Sequence, residues 1–160
     1  IGVLVNNAGI AVDKPALEVE PDDWDSVMDT NLRGAWLVAQ ETARHMARLK
    51  HGGCIVNIAS ILGLRGTGRV ASYCAAKGGL INLTRAMAIA LARYDIRVNA
   101  LAPGYIVTDL NRPLLESKTG ETMKQRIPQR RFGQPADLDG ALLLLASDVI
   151  TVDGGQSAVA

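Results

Sequence analysis

Cys54-Ile55-Val56-Asn57-Ile58-Ala59-Ser60 is a short, mainly apolar run that ends on a hydroxyl. Its length and content read as a buried strand. A helical pattern follows over about 72–94, and Ile96-Arg97-Val98-Asn99-Ala100-Leu101-Ala102 reads as another strand, closed by Pro103-Gly104. Upstream, Val3-Leu4-Val5-Asn6-Asn7-Ala8-Gly9 is an apolar run breaking into two amides and a tight turn. Two helices, one opening at Pro21 and one over about 32–50, fill the interval. Strands alternating with helices predict an α/β fold with a parallel sheet covered on both faces. Such strands should be nearly continuous apolar runs, and 55–58 and 98–102 come close.

With 160 residues, 48% of them apolar, the chain has the size of one domain over 1–160 and enough material for a core. Seventeen basic against 16 acidic residues give no nucleic-acid signal. No apolar stretch approaches the roughly 20 residues that span a bilayer. Cys54 and Cys74 have neither metal nor disulfide spacing. Pro21 suits a first helical position, with Asp22 and Asp23 near the positive helix end. The 72–94 helix carries Gly78 and Gly79 in its interior, at up to about 1 kcal/mol each relative to alanine. Close approach by another backbone would offset that cost.

Tyr73 and Lys77 lie four residues apart, on one helix face and one turn from each other. A phenol normally keeps its proton to about pH 10, and a neighbouring ammonium favours the phenolate. The pair therefore predicts a tyrosine able to exchange a proton near neutral pH. Alone it is weak evidence, because exposed helix faces carry many such pairs.

Its companions decide the matter. Asn6-Asn7-Ala8-Gly9, Asn31, Ser60, Tyr73 with Lys77, Pro103-Gly104 with Thr108, and Val152-Asp153-Gly154-Gly155 occur in one order. Together they resemble the short-chain dehydrogenase/reductase family, from the first residue nearly to the last. The resemblance implies a Rossmann-type doubly wound parallel sheet and an NAD- or NADP-dependent oxidoreductase that interconverts secondary alcohols and ketones. It implies a catalytic set of Asn31, Ser60, Tyr73 and Lys77. Tyr73 is the general acid/base, Lys77 its electrostatic support and a ribose ligand, Ser60 a donor to the substrate oxygen, and Asn31 the holder of a relay water. Asn7, Ala8 and Gly9 resemble the turn lining the adenosine side. Pro103, Gly104, Ile106 (through its backbone) and Thr108 resemble the loop holding the nicotinamide carboxamide. No metal is implied. The implied setting is cytoplasmic, and the implied assembly a homotetramer through the 32–50 and 72–94 helices.

In this family the first strands and the glycine-rich turn that choose between NAD and NADP precede Asn-Asn-Ala-Gly. That N-terminal third is missing from the chain. Gly66-Thr67-Gly68-Arg69-Val70-Ala71 fits G-x-G-x-x-A but starts too far past Ser60, and we reject it as a pyrophosphate turn. Near the other end, a helix finishing at Ser147-Asp148 meets a strand starting at Val149. Connections typically take about four to six residues, so further residues are expected between Asp148 and Val149.

The segment from Leu110 to Phe132 corresponds to a substrate lid, expected to be mobile. Its Lys118, Lys124, Arg126, Arg130 and Arg131 read first as a solvated face. An acidic substrate or carrier is the second reading. A 3-oxoacyl carrier-protein reductase and a sugar or sugar-acid dehydrogenase both remain open. Epimerase or dehydratase chemistry on the same Tyr and Lys, and a non-catalytic binding protein, are the more distant readings.

Overall fold

The computed structural model describes residues 1–109 and 111–146. Three strands, β1 (Val3–Asn6), β2 (Gly53–Ile58) and β3 (Ile96–Leu101), form a parallel sheet in the order β1-β2-β3. The register pairs Val3 with Cys54 and Cys54 with Arg97, so side chains alternate coherently across the sheet.

One face looks toward α2 (Ala35–Leu49) and α3 (Ala71–Leu91). There Ile55, Ile96 and Val98 form the core with Ala39, Ala43 and Met46. The alternate residues, Cys54, Arg97 and Asn99, look the other way, toward α6 (Asp139–Ala146). The Cys54 thiol and the Arg97 guanidinium both donate to the Leu145 carbonyl, each at 3.0 Å. Helices thus pack on both faces of β2 and β3, whose nearly continuous apolar runs follow from that, while Val3 and Val5 of β1 are exposed on the α6 side.

The two helices expected between β1 and β2 are one continuous run. Helix α1 (Pro21–Met28) passes through a π-helical turn (Asp29–Gly34) into α2. The backbone stays right-handed helical at Met28, Gly34 and Ala35, so nothing breaks the chain there. The start at Pro21 is as expected, reinforced by a reciprocal cap between Glu20 and Asp23.

Two close contacts at glycines fix α3 within the chain. A Cβ on Gly63 would lie 2.7 Å from the Lys77 carbonyl, so the turn after Ser60 rests directly on the helix backbone. A Cβ on Gly79 would lie 3.0 Å from the Leu32 side chain.

After β3, two short helices follow, α4 (Arg112–Leu115) and α5 (Lys118–Gln125). The expected long helix before the last strand is eight residues in its described part, preceded by a 3-10 turn over Pro135–Leu138. The expected last strand and the junction between Asp148 and Val149 lie outside the described residues.

Candidate active site

Ser60 closes the C-terminal end of β2, and Tyr73 and Lys77 stand on the first turns of α3. Asn31 lies in the π-helical turn, a feature that often marks functional positions. The extra residue in that turn reorients its side chains relative to a plain α-helix. The structure brings all four residues of the expected set toward one region, below the C-terminal ends of β1 and β2.

Lys77 is 3% exposed, and its ammonium donates to the Ile58 carbonyl at 2.6 Å. Its Nζ sits 5.6 Å from the Tyr73 ring centroid. Burial disfavours the charged form and lowers the Lys77 pKa to about 8. Tyr73 is half-buried, and burial raises its pKa above the usual phenol value even though the Ser60 hydroxyl facing it favours the phenolate. This differs from the expectation of a tyrosine lowered by its lysine. In the chain alone, desolvation outweighs every favourable contact, and the Lys77 ammonium is committed to a backbone carbonyl.

Ser60 is buried, and its Oγ accepts the Leu62 amide at 3.1 Å. That bond uses a lone pair and leaves the hydroxyl proton to be donated elsewhere. Asn31 is fully buried and grips the Ile10 backbone twice: Oδ1 accepts from the Ile10 amide and Nδ2 donates to its carbonyl, both at 2.8 Å. The backbone pairing weighed against a water relay is therefore present. Each end of the amide still has one unused position.

Asn7, Ala8 and Gly9 are exposed in the loop after β1. A Cβ on Gly9 would lie 3.4 Å from Asn31 Oδ1 and 3.6 Å from Lys77 Nζ. Those are ordinary contact distances, so the exposed Gly9 packs directly over both buried side chains. Pro103 accepts the Ile61 amide at 3.0 Å, tying the loop after β3 to the turn after Ser60. Ile106 bridges Gly133, but the bonds run from Gly133 to the Tyr105 carbonyl and from Val107 to the Gly133 carbonyl, both 2.9 Å. The Ile106 amide stands outside that ladder, available to a ligand. Its carbonyl accepts from Asn111, whose Oδ1 in turn accepts the Thr108 amide. These residues fit a nicotinamide cofactor: an exposed 7–9 loop packed over the lysine and, on the 103–108 loop, an Ile106 amide not used in the bridge to Gly133.

Sequence reasoning missed a polar brace beneath the site. Asn6 donates to Asn57 Oδ1 at 2.9 Å and to the Ala35 carbonyl at 3.0 Å. Asn57 donates to Thr84 Oγ1 at 2.9 Å, and Thr84 donates to the Leu80 carbonyl at 2.7 Å. This chain joins both strands to α2 and α3. The available signal was an amide at the same level of two adjacent strands. Asn111, clamping the 106–108 loop, was missed as well.

The rejected glycine motif is an open loop. A Cβ on Gly66 or Gly68 would meet nothing within 4 Å, so neither glycine serves a close packing. Arg69 instead pairs with Asp13. Among the described residues there is no group of side chains suited to a metal, and no helix long and apolar enough to cross a membrane.

A family model described as enoyl-(acyl carrier protein) reductase matches residues 1–159. The chain is 42% identical to a 2-dehydro-3-deoxy-D-gluconate 5-dehydrogenase of Escherichia coli K12, over 97% of this chain and 65% of that protein. It is also 42% identical to the 3-oxoacyl-[acyl-carrier-protein] reductase FabG of Thermotoga maritima, with the same coverage. The chain therefore spans just under two thirds of the length of these curated relatives. Among solved structures, a gluconate 5-dehydrogenase from Burkholderia cenocepacia in complex with NADP and tartrate aligns with a TM-score of 0.89 and 41% identity, over 100% of this chain and 66% of that one. A 4-hydroxyisoleucine dehydrogenase complexed with NADH aligns with a TM-score of 0.87 and 35% identity, over 91% and 60%. With the sheet order, the Ser60–Tyr73–Lys77 arrangement and this match along nearly its whole length, the chain belongs to the short-chain dehydrogenase/reductase family.

Proposed function

We propose that the complete protein is an NAD- or NADP-dependent oxidoreductase interconverting a secondary alcohol and a ketone, with Tyr73 moving the proton. The observation that carries this is the placement of Tyr73 between the Ser60 hydroxyl and the buried Lys77 ammonium. When bound, the cofactor supplies or accepts the hydride. Asn7, Ala8, Gly9, Tyr73, Lys77, Pro103, Gly104, Ile106 and Thr108 would hold it, Ile106 through its backbone.

Tyr73 donates its phenolic proton to the substrate oxygen during reduction and takes it back during oxidation. Ser60, its lone pair already occupied by Leu62, donates its hydroxyl proton to the same oxygen and stabilises the charge developing there. The Lys77 ammonium, shielded from water, stabilises the phenolate that remains. Asn31 holds the Gly9–Ile10 turn against Lys77, and its unused valences suit a water that reprotonates the lysine. Replacing Tyr73 with Phe tests the assignment. Turnover should fall by about 10²–10⁴-fold with cofactor binding retained; retained turnover would refute it.

The relatives' names pull the substrate toward both sugar acids and acyl carrier-protein chains. We further propose a homotetramer built on the 32–50 and 72–94 helices. Trp36, Leu37, Val38 and Ile89 are exposed apolar side chains on those helices. A monomer by light scattering would refute that assembly. The free thiols Cys54 and Cys74 suit the reducing cytoplasm. We also read 1–160 as a single domain with additional residues between Asp148 and Val149. A proteolytic peptide running directly from Asp148 into Val149 would sink that last reading.

A further inference from the structure

A cavity of about 600 Å³ opens beside the site, sharing Ile61, Gly104 and Ile106 with the loops that flank Ser60 and the 103–108 segment. That volume is in the range of small-molecule sites. Leu64, Ile127 and Pro128 add to its apolar wall. Three arginines also line it, from three places in the chain: Arg65 after the Ser60 turn, Arg126 at the end of α5, and Arg131 in the loop that follows. Arg131 is satisfied by Asp137 at 2.6 Å. Among the described residues, Arg65 and Arg126 have no ion pair and no side-chain hydrogen bond. Two uncompensated guanidinium groups thus share one largely apolar cavity next to the proposed reacting centre.

We propose that Arg65 and Arg126 are specificity-determining residues that bind the carboxylate of a small hydroxy acid or oxo acid. This rests on the oxidoreductase reading above. A guanidinium presents a planar fork matched to a carboxylate, and charge-assisted bonds of this kind are stronger than neutral ones. Both arginines are exposed residues whose side chains line the cavity beside Ile61, Gly104 and Ile106, next to the proposed reacting centre. That favours a free acid whose charge is a few bonds from the reacting carbon. The phosphate of a carrier-protein arm, many bonds from its thioester, would dock outside. The Arg131–Asp137 pair alongside sets a contrast, since an arginine already neutralised offers little to an anion.

The test uses the complete protein with hydroxy acids and the primary amides of the same carbon skeletons. The acids should be preferred in kcat/KM by about tenfold or more, as a charge-assisted bond supports. Arg65→Gln and Arg126→Gln should each raise KM for the acid by a similar factor. They should leave kcat, KM for the amide and KM for the cofactor unchanged, and lysine at either position should recover part of the loss. Amides used as well as acids, equal shifts for acid and amide, or a preference for carrier-bound thioesters would each overturn the inference. A shift in cofactor KM instead of acid KM would also overturn it, by assigning the arginines to the cofactor phosphates. If no alcohol or ketone is turned over, malonate binding by calorimetry separates the two readings. Binding that both glutamine variants abolish keeps the anion site and refutes the oxidoreductase reading. Absence of binding to the unmodified protein overturns the anion site.

Discussion

The face of α3 and the arginine-lined cavity sit side by side and were built differently. Tyr73 and Lys77 belong to one helix, so their proximity is a property of helical spacing. Around them each polar side chain is held by a backbone group: Lys77 by Ile58, Asn31 by Ile10, Ser60 by Leu62. The cavity instead gathers residues from the loop after Ser60, the loop after β3 and the segment after α5. Its guanidinium groups are exposed, and two have no partner among the described residues. The first region is buried and anchored to backbone, as reaction chemistry requires of groups that must not move. The second is open and under-paired, which suits a surface that selects among substrates.

Several substitutions would break or sharpen this contrast. The largest effect belongs to the closed region, where Tyr73→Phe should cost about 10²–10⁴ in kcat with little change in melting temperature. Circular dichroism and turnover on one sample distinguish that result from unfolding.

Lys77→Met should also remove most turnover, and it carries a stability signature. Folding lowers the Lys77 pKa from 10.5 to about 8. Between those values the unfolded chain binds more protons than the folded one, so stability rises with pH across that window. Below about pH 8 the folded protein bears the full cost of an ammonium buried in the core. Relative to Lys77→Met, the unmodified protein should therefore gain stability as pH rises from about 8 to 10.5, by on the order of 2–3 kcal/mol. Denaturant titrations of both proteins at a series of pH values measure it. A flat difference would mean that the lysine is not desolvated.

Gly63→Ala places a methyl against the backbone at Lys77. It should cost about 1–3 kcal/mol and lower kcat, because strain there displaces the catalytic helix. An unchanged kcat would show that the turn can give way without moving Lys77. The smallest effect is expected at the polar brace. Thr84→Val leaves the buried Asn57 amide without its acceptor and should destabilise by about 1–3 kcal/mol with kcat unchanged, read by urea midpoints beside turnover. A fall in kcat would extend the catalytic unit down to the sheet.

Much of the fold could be read directly. Strands at 54–60 and 96–102, the helix at 72–94 and the start at Pro21 all stand within a few residues of their observed limits. Each has a local cause, such as an unbroken apolar run, a proline at a first turn, or a proline-glycine pair that ends a strand. The join between α1 and α2 was not readable, because a π-helical turn differs from a plain α-helix only by a one-residue shift in hydrogen bonding, which leaves no mark in the local residue pattern. Nor was the brace of Asn6, Asn57 and Thr84, whose members are far apart in the chain and meet only through strand register.

The sequence alone determined what depends on short separations along the chain: a parallel α/β frame, Tyr73 and Lys77 on one helical face, and Ser60 at a strand end. Tertiary structure decided what depends on surroundings. It set the direction of the Tyr73 shift, since burial outweighs the Ser60 contact. It gave Asn31 the Ile10 backbone as its partner and left Arg65 and Arg126 unpaired while Arg131 found Asp137. Spacing follows from helix and strand geometry, which is local. Desolvation and pairing follow from which distant segments pack together, and no local pattern encodes them.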